Sequence, residues 1–129
     1  MAQIMFATSH PNVVPVQYAC ETQDKICLAM PLFRRGSLAD RINDGPLPVK
    51  ECLRIAYGVL SGVARIHTAG FVHLDIKPSN ILFSDSNAPM VADFGQSRQL
   101  AFNGTVTVPP MYKLAIPPET FQHRVALRE

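Results

Sequence analysis

The amino-acid sequence predicts an α+β fold, and three observations support that prediction. Two apolar runs near the start of the chain are separated by a polar turn, a pattern typical of a β-hairpin. Residues 49–68 carry apolar side chains at intervals of three and four, which indicates a long α-helix. Short apolar pieces after this helix indicate further small strands. The predicted order is therefore two strands, two helices, several small strands and a long loop.

Length and composition describe a small globular chain. The sequence has 129 residues and a mass of 14.2 kDa, which allows one domain at most. Hydrophobic residues make up 47% and charged residues 17%, which excludes a disordered tail. The net charge is +2 and the basic residues are dispersed along the chain, so we expect no nucleic-acid partner.

Neither a membrane segment nor a disulfide framework is indicated by the sequence. The longest apolar stretch with helical character, Ile55–Ala64, is far too short to span a bilayer. The three cysteines are an odd number, and no pair of them has CxxC spacing. We therefore expect a cytoplasmic protein without a membrane partner, and the sequence leaves its oligomeric state open.

The first predicted elements form the hairpin. Its strands are predicted at Val13–Ala19 and Lys25–Met30, on either side of the polar turn Glu21–Asp24. Pro31 ends the second strand, because proline has no N–H to donate to a strand ladder. An extended linker, Leu32-Phe33, then leads towards the helices.

Two helices are predicted next. The shorter one begins at Ser37, a favourable N-cap, and stops at Asn43–Pro46. The longer one covers Val49–Thr68, with Pro48 in its first turn and Gly70 as its C-terminal stop. Two apolar stripes lie side by side along it, so we expect this helix to be buried over more than one face.

Short strands are predicted after the long helix, at Phe71-Val72, Ile81–Phe83 and Met90–Ala92. The polar segment Ser84–Pro89 is a turn between the last two of them, which predicts a second hairpin. The periodicity then fades, and residues 96–118 are predicted to form a long irregular loop.

Two motifs carry the chemistry of the sequence. The first runs from His73 to Asn80 and reads His-Leu-Asp-Ile-Lys-Pro-Ser-Asn, and the second is Asp93-Phe-Gly. Asn80 and Asp93 offer amide and carboxylate oxygens, the hard ligands that Mg²⁺ prefers. Lys77 adds a cation, and Asp75 is a second carboxylate that can orient a hydroxyl group. A metal, a cation and a proton acceptor together are the parts needed for phosphoryl transfer.

These motifs resemble the catalytic loop and the Asp-Phe-Gly segment of protein kinases, in the same order and at compatible spacing. The resemblance implies that Asp75 is the catalytic base that accepts the substrate hydroxyl proton, and that Lys77 neutralises the transferred γ-phosphate. It implies that Asn80 and Asp93 bind Mg²⁺. A Lys followed by Pro is the pattern of serine/threonine kinases, so the implied partners are ATP and a protein substrate with Ser or Thr hydroxyls.

The resemblance extends to the residues that would bind the nucleotide. Met30 corresponds to the gatekeeper of the family, and residues 31–33 correspond to the hinge. By this resemblance the Pro31 carbonyl accepts a hydrogen bond from the adenine amino group, and the Phe33 N–H donates one to the ring. Leu82 would form the floor of the adenine pocket.

One position of the first motif departs from the family pattern. His73 and Phe94 correspond to residues that pack behind the loop and the metal-binding segment. Leu74, however, stands where many kinases have an Arg that pairs with a phosphorylated residue of the activation segment. The resemblance therefore implies that activation does not depend on such a phosphate, and that Thr105 and Thr107 are weak candidates for phosphorylation.

The resemblance implies a partial kinase domain over residues 1–129, with a protein-kinase-like α+β fold. Residues 10–33 correspond to the last strands of the small lobe and the hinge, residues 34–119 to the first half of the large lobe, and residues 120–129 to a truncated tail. Pro117-Pro-Glu resembles the Ala-Pro-Glu that closes the activation segment. Neither a glycine-rich phosphate loop nor the nucleotide-binding strand Lys occurs. We therefore expect the chain alone to bind ATP and Mg²⁺ weakly and to transfer phosphate at no useful rate.

Two other functions remain open from the sequence alone. A small-molecule phosphotransferase of the aminoglycoside-kinase type shares the Asp-x-x-x-x-Asn loop and a later metal-binding Asp, but Lys77-Pro78 and the Asp-Phe-Gly ending favour a protein kinase. A catalytically inactive, kinase-like binding or regulatory module is favoured by the missing nucleotide-binding Lys. The intact Asp75, Asn80 and Asp93 argue against it.

Overall fold

The computed structural model of the chain describes residues 7–107 and 125–127. Within this part the fold is α+β, as predicted, with helices, a 3₁₀ turn at Pro78–Asn80 and short strands that pair two by two. The helices are α1 (Leu38–Asn43) and α2 (Val49–Thr68). The strands are β1 (Tyr18–Glu21), β2 (Ile26–Ala29), β3 (Phe71–Val72), β4 (Ile81–Phe83), β5 (Pro89–Val91), β6 (Arg98–Gln99), β7 (Thr105–Thr107) and β8 (Val125–Leu127).

The strands β1 and β2 form the predicted antiparallel hairpin. Its turn is closed by a hydrogen bond from the Thr22 N–H to the Lys25 carbonyl, at 2.8 Å. The prediction is wrong at one end of the hairpin, because β1 begins at Tyr18 and not at Val13.

Val13 and Val14 pair with a strand that is distant in the sequence. Val13 forms an isolated parallel bridge with Val91 of β5. The Val14 N–H donates to the Val91 carbonyl at 2.9 Å, and the Val91 N–H donates to the Asn12 carbonyl at 2.8 Å. Both valines are buried. Their β-branched side chains thus do mark extended, buried backbone, and only the partner strand differs from the prediction.

The helix α1 begins where the sequence predicts, because Ser37 and Asp40 form a capping box. The Ser37 hydroxyl accepts a hydrogen bond from the Asp40 N–H at 3.2 Å, and the Asp40 carboxylate accepts one from the Ser37 N–H at 2.7 Å. Gly36 precedes the cap with a φ of +68°, in the left-handed region that suits glycine. These bonds satisfy N–H groups that would otherwise lack partners at the start of a helix.

The helix α2 covers Val49–Thr68, the range that its periodicity predicts. Pro48 lies at the N-cap, one position before the first helical turn in which it is predicted. The helix is followed by Ala69 as the C-cap and by Gly70, whose φ of +84° takes the chain out of the helix.

One face of α2 is buried and another is exposed. The buried residues Ile55, Gly58, Gly62 and Ile66 recur at helical spacing and therefore lie on one side. Leu60 lies on the other apolar stripe, not on the one that contains Ile55 and Ile66, and it keeps 68% of its surface exposed. The prediction that α2 is buried over more than one face is wrong for residues 7–107 and 125–127, because that part of the fold covers only the first face.

Substitution of Gly62 by Ala tests how closely α2 approaches the start of the described chain. A β-carbon at Gly62 would lie 2.5 Å from the Asn12 carbonyl oxygen, far inside van der Waals contact. Alanine favours a helix over glycine by about 1 kcal/mol, but relieving this contact costs about 1–3 kcal/mol. Asn12 can move little, because its carbonyl also accepts from β5.

We expect Gly62→Ala to lower the free energy of unfolding by about 1 kcal/mol, as measured by urea titration, since the steric cost exceeds the gain in helix propensity. The matched control is Leu60→Ala on the exposed side of the same helix, which should change that free energy by less than about 0.5 kcal/mol. A more stable Gly62→Ala variant would be incompatible with the close contact between Gly62 and Asn12.

The second predicted hairpin is confirmed, and the predicted long loop is wrong in its first half. β4 pairs with β5, with Leu82 opposite Met90. Within the predicted loop, β6 pairs with β3, and β7 pairs with β8. Strands of two or three residues depend on distant partners, which a local pattern cannot show. Residues 108–118 and the Pro117-Pro-Glu motif lie outside the described residues.

The main core lies between α2 and the hairpin of β4 and β5. One buried cluster contains Val13, Ile66, Ile81, Val91 and Phe94. The core therefore joins the start of the described chain to the Asp93-Phe-Gly motif. In the described ranges, no helix is both long enough and apolar enough to cross a membrane.

Candidate functional site

The first motif forms a loop over residues 73–80, which follows β3 and ends in the 3₁₀ turn. Leu74 in this 73–80 loop has a φ of +65°, in the left-handed region that leucine rarely adopts. His73, Leu74 and Asp75 are all buried. Backbone of this kind persists only where the surroundings hold it, so the loop is a strongly constrained part of the fold.

The Asp75 carboxylate is held by two donors. Asn80 Nδ2 donates to Asp75 Oδ2 at 2.9 Å and to the Asp75 carbonyl oxygen, also at 2.9 Å. Lys77 Nζ forms an ion pair with the same Oδ2 at 2.9 Å. These contacts fix one oxygen of a buried carboxylate and thereby orient the other oxygen. The second oxygen is therefore positioned to act as a proton acceptor. Asp75, Lys77 and Asn80 are thus brought together, and their catalytic and metal-binding roles stay predictions.

His73 supports the 73–80 loop from behind. Its ring packs against the ring of Phe94, with the centroids 5.1 Å apart. Nε2 lies 2.9 Å from the Ala92 carbonyl oxygen, and Nδ1 accepts a hydrogen bond from the Asp75 N–H at 3.2 Å. Because Nδ1 accepts from an N–H, these partners assign the neutral ring with its proton on Nε2. Burial lowers the pKa of His73 below its ordinary value of 6.5.

Acid should destabilise the fold through His73. The folded chain keeps His73 neutral, whereas the unfolded chain protonates it near its ordinary pKa of 6.5, so the unfolded state binds more protons below that pH. The stabilisation is present above pH 6.5 and is lost as the pH falls through the window between 6.5 and the lowered folded pKa. At its steepest, the free energy of unfolding falls by about 1.4 kcal/mol per pH unit.

Titration of the His73 ring by NMR measures this effect, and we expect a midpoint below 6.5. His73→Gln removes the titrating group, so the variant's unfolding free energy should decline less steeply than that of the parent below that pH. A ring midpoint at or above 6.5 would refute the assignment of His73 as a buried neutral group.

Asp93 lies just beyond β5, at the end of the second hairpin. It has a φ of +59° and is exposed between two buried residues, Ala92 and Phe94. Its Oδ1 accepts a hydrogen bond from the Gly95 N–H at 3.1 Å. The Ala92 N–H donates to the Asn80 carbonyl at 2.8 Å. This bond brings the two predicted metal ligands, Asn80 and Asp93, onto adjoining segments.

The chemistry of Asn80 and Asp93 fits a magnesium ion. The Asn80 amide nitrogen makes both bonds to Asp75, so the amide oxygen is the atom of this side chain that can coordinate a cation. Asp93 adds an exposed carboxylate. Within the described residues no group of three or more His, Cys, Asp or Glu could hold a metal. Mg²⁺ suits such a sparse site, because it commonly keeps several waters and binds through one or two side chains plus substrate phosphates.

The predicted adenine-binding residues fall into two groups. Phe33 and Leu82 pack against one buried cluster, which contains Val14, Met90 and Ala92. Pro31 and Phe33 also line a shallow cavity of about 220 Å³ beside Met90. Met30 does not belong to this cluster, and 47% of its surface is exposed. The structure therefore brings Pro31, Phe33 and Leu82 to one region, whereas Met30 belongs neither to the cluster nor to the lining of the cavity.

Two contacts of the 73–80 loop could not be predicted from the motif itself. The buried Ser97 donates from Oγ to the His73 carbonyl at 3.1 Å, across 24 residues of sequence. Leu74 packs with Val106 of β7 in a small buried cluster. At the position where many kinases have an Arg, this chain thus makes an apolar contact with the segment that contains Thr105 and Thr107.

The chain is similar to known protein kinases over most of its length. Calcium/calmodulin-dependent protein kinase type 1B of Rattus norvegicus is 35% identical over 122 aligned positions, and this alignment covers 90% of this chain and 35% of that protein. Serine/threonine-protein kinase dkf-1 of Caenorhabditis elegans is 32% identical over 130 aligned positions, and this alignment covers 94% of this chain and 18% of that protein. Serine/threonine-protein kinase STY17 of Arabidopsis thaliana is 28% identical over 123 aligned positions, and this alignment covers 94% of this chain and 22% of that protein. The chain spans about a third or less of the length of these relatives.

A family model described as a protein kinase domain matches residues 2–126. The match includes both motifs, the predicted hinge and the elements that position them. It agrees with the α+β architecture and with the similarity to serine/threonine kinases. The chain belongs to the protein kinase family.

Proposed function

We propose that this chain supplies the catalytic loop and the metal-binding segment for ATP-dependent phosphoryl transfer to Ser or Thr hydroxyls of a protein. The observation that carries the proposal is the environment of Asp75. A buried carboxylate with an amide and an ammonium group at 2.9 Å is suited to accept a proton next to a transferring phosphate.

Asp75 acts as the general base in this proposal. Its Oδ2 is held by Asn80 and Lys77, which leaves Oδ1 to take the proton of the attacking hydroxyl. General-base assistance of this kind contributes about 10²–10⁴ in rate. The ammonium group of Lys77 lies beside the carboxylate and offsets the negative charge of the transferred phosphate.

Asn80 and Asp93 would hold Mg²⁺, and the hinge region would hold ATP. When bound, Mg²⁺ neutralises and aligns the phosphates of ATP. The Asn80 amide oxygen and the Asp93 carboxylate are the proposed ligands. Phe33 and Leu82, which pack on the same cluster, would contact the adenine ring. The Pro31 carbonyl and the Phe33 N–H would bond to its edge.

A protein substrate is favoured over a small molecule by the first motif and by the relatives. Lys77 is followed by Pro78, as in serine/threonine kinases, and two of the relatives above carry the name serine/threonine-protein kinase. We also propose a cytoplasmic setting, which is supported by the three free thiols of Cys20, Cys27 and Cys52.

Phosphoryl transfer is tested on the full polypeptide that the gene encodes, with Mg²⁺ and ATP labelled in the γ-phosphate. A Ser- and Thr-containing protein, a peptide with Tyr as its sole hydroxyl residue, and an aminoglycoside serve as acceptors in separate reactions. We expect label on Ser or Thr of the protein acceptor, and no label on the other two. Removal of Mg²⁺ by a chelator should abolish the reaction.

Asp93→Asn tests the metal-binding segment in the same assay. The loss of a carboxylate should raise the Mg²⁺ concentration needed for half-maximal transfer, while Asp44→Asn, at the exposed C-cap of α1, should leave it unchanged. Label on the aminoglycoside would identify a small-molecule phosphotransferase instead. Nucleotide binding without transfer to any acceptor would identify a non-catalytic module, and either result would overturn the proposal.

A further inference from the structure

Cys20 and Cys27 face each other across the first hairpin. The register of β1 and β2 places the two residues directly opposite each other. Opposite residues of an antiparallel pair carry their side chains on the same face, with β-carbons about 4.5–5.5 Å apart. The two thiols are therefore neighbours in the fold, although six residues separate them in the sequence.

The spacing of this pair is compatible with a disulfide. The bond from the Thr22 N–H to the Lys25 carbonyl marks a hydrogen-bonded pair next to the turn. Because such pairs alternate along the strands, Cys20 and Cys27 are also a hydrogen-bonded pair, with α-carbons about 5.5 Å apart. Disulfides join α-carbons at about 4.4–6.8 Å and β-carbons at about 3.5–4.5 Å. The α-carbons are therefore already within bridging range, and the β-carbons must approach each other by about 1 Å.

Both thiols are accessible, and the hairpin can adjust to a bridge. Cys27 is exposed, Cys20 is partly exposed, and both are free. Among the described residues, β1 and β2 form a sheet of two strands, so a small closing movement between them disturbs no third strand there. The remaining cysteine, Cys52, lies on α2, where its sulfur contacts the Leu47 carbonyl at 3.7 Å.

We propose that Cys20 and Cys27 form an oxidisable dithiol, which closes to a reversible disulfide when the chain meets hydrogen peroxide. The thiolate of one cysteine attacks a peroxide oxygen, which breaks the O–O bond, forms a sulfenic acid and releases hydroxide. The second thiol then forms the S–S bond and displaces the sulfenic oxygen as water. The two sulfurs give up two electrons and two protons, and one peroxide becomes two waters.

The bridge would lock the pairing of the hairpin just before the predicted hinge. A slip of one strand by one residue turns facing side chains to opposite faces, and a covalent link between Cys20 and Cys27 forbids it. Exposed disulfides are readily reduced by thiols, so the link reverses when the oxidant is removed.

Trypsin provides a direct test, because Lys25 is the sole Lys or Arg between the two cysteines. The chain is oxidised with hydrogen peroxide, its remaining thiols are alkylated, and it is digested without reductant. We expect the peptide that ends at Lys25 and the peptide Ile26–Arg34 to elute as one disulfide-linked species. Free thiols should fall from three per chain to one, and a reductant should restore all three.

Single substitutions provide the controls. Cys20→Ser and Cys27→Ser should each abolish the linked species, whereas Cys52→Ser should retain it. In gel electrophoresis without reductant, the oxidised chain should migrate as a monomer. This result would place the disulfide within one chain. Separate tryptic peptides after oxidation, or a linkage between two chains, would overturn the proposal.

Discussion

We expect Asp75→Asn to lower phosphoryl transfer by about 10²–10⁴-fold while ATP still binds. The amide cannot take the hydroxyl proton, but its oxygen can still accept the hydrogen bond from Asn80. The 73–80 loop should therefore keep its conformation, while the variant lacks the carboxylate that acts as the general base. Nucleotide affinity should be retained, since Phe33 and Leu82 pack on a separate cluster. Initial rates of transfer and a titration with ATP, both on the full polypeptide, measure the two effects.

The matched control is Asp24→Asn, a change of the same chemistry at an exposed residue in the turn of the first hairpin. It should alter neither the rate nor the affinity. Urea titration of both variants establishes that a lost rate does not reflect unfolding. If Asp75→Asn transferred phosphate at the parent rate, Asp75 would not be the base.

We expect Phe83→Ala to lower the free energy of unfolding by about 3–5 kcal/mol. The Phe83 side chain is completely buried in β4, and the guanidinium carbon of Arg41 lies 3.3 Å from the centroid of its ring. Truncation removes apolar contacts, leaves a cavity and takes away the aromatic partner of the cation. Since small domains are stable by only about 5–15 kcal/mol, this loss would be visible as a large shift of the urea midpoint.

Two further substitutions separate the causes of that loss. Phe102→Ala makes the same change at a phenylalanine that is fully exposed, with a relative exposure of 112%, and should cost less than about 0.5 kcal/mol. Phe83→Leu keeps most of the apolar volume but removes the ring beneath Arg41, and should cost about 1–2 kcal/mol. Equal losses for Phe83→Ala and Phe102→Ala would rule out Phe83 as a core residue.

Elements with strong local signals could be predicted from the sequence. The bounds of α2 follow from its apolar periodicity, from Pro48 before it and from Gly70 after it. The start of α1 follows from Ser37, whose cap is completed by Asp40 three residues later. In these cases the residues that define the element are neighbours in sequence, so hydrogen bonding and propensity act within a few residues.

Several elements that depend on distant partners could not be predicted, although the strand at Phe71-Val72 was. Val13 is extended because Val91 lies beside it, and β6 is a strand because Phe71 and Val72 pair with it. In the sequence, the apolar stripe of α2 that contains Leu60 resembles the stripe that contains Ile55 and Ile66, and only the fold shows that Leu60 is exposed.

The candidate site also contains features that could be predicted from the sequence and features that depend on tertiary packing. The motifs identify Asp75, Lys77 and Asn80, and the structure brings Lys77 and Asn80 within hydrogen-bonding distance of the Asp75 carboxylate. The left-handed backbone of Leu74 and the bond from Ser97 to His73 have no counterpart in a motif. They arise from tertiary packing, which can hold a residue in a conformation that its own propensity disfavours.

The pairing of Val13 and Val14 with β5 also determines how long the start of the described chain waits for its partner during synthesis. Val91 leaves the ribosome 91 − 13 = 78 residues after Val13. At about 5–20 residues per second, that is a delay of about 4–16 s. During this time two valines that are buried in the finished fold have no partner for their backbone, and such segments are prone to aggregate. A change that slows the formation of β5 would therefore first appear as loss of the nascent chain, before any folded chain is present to assay.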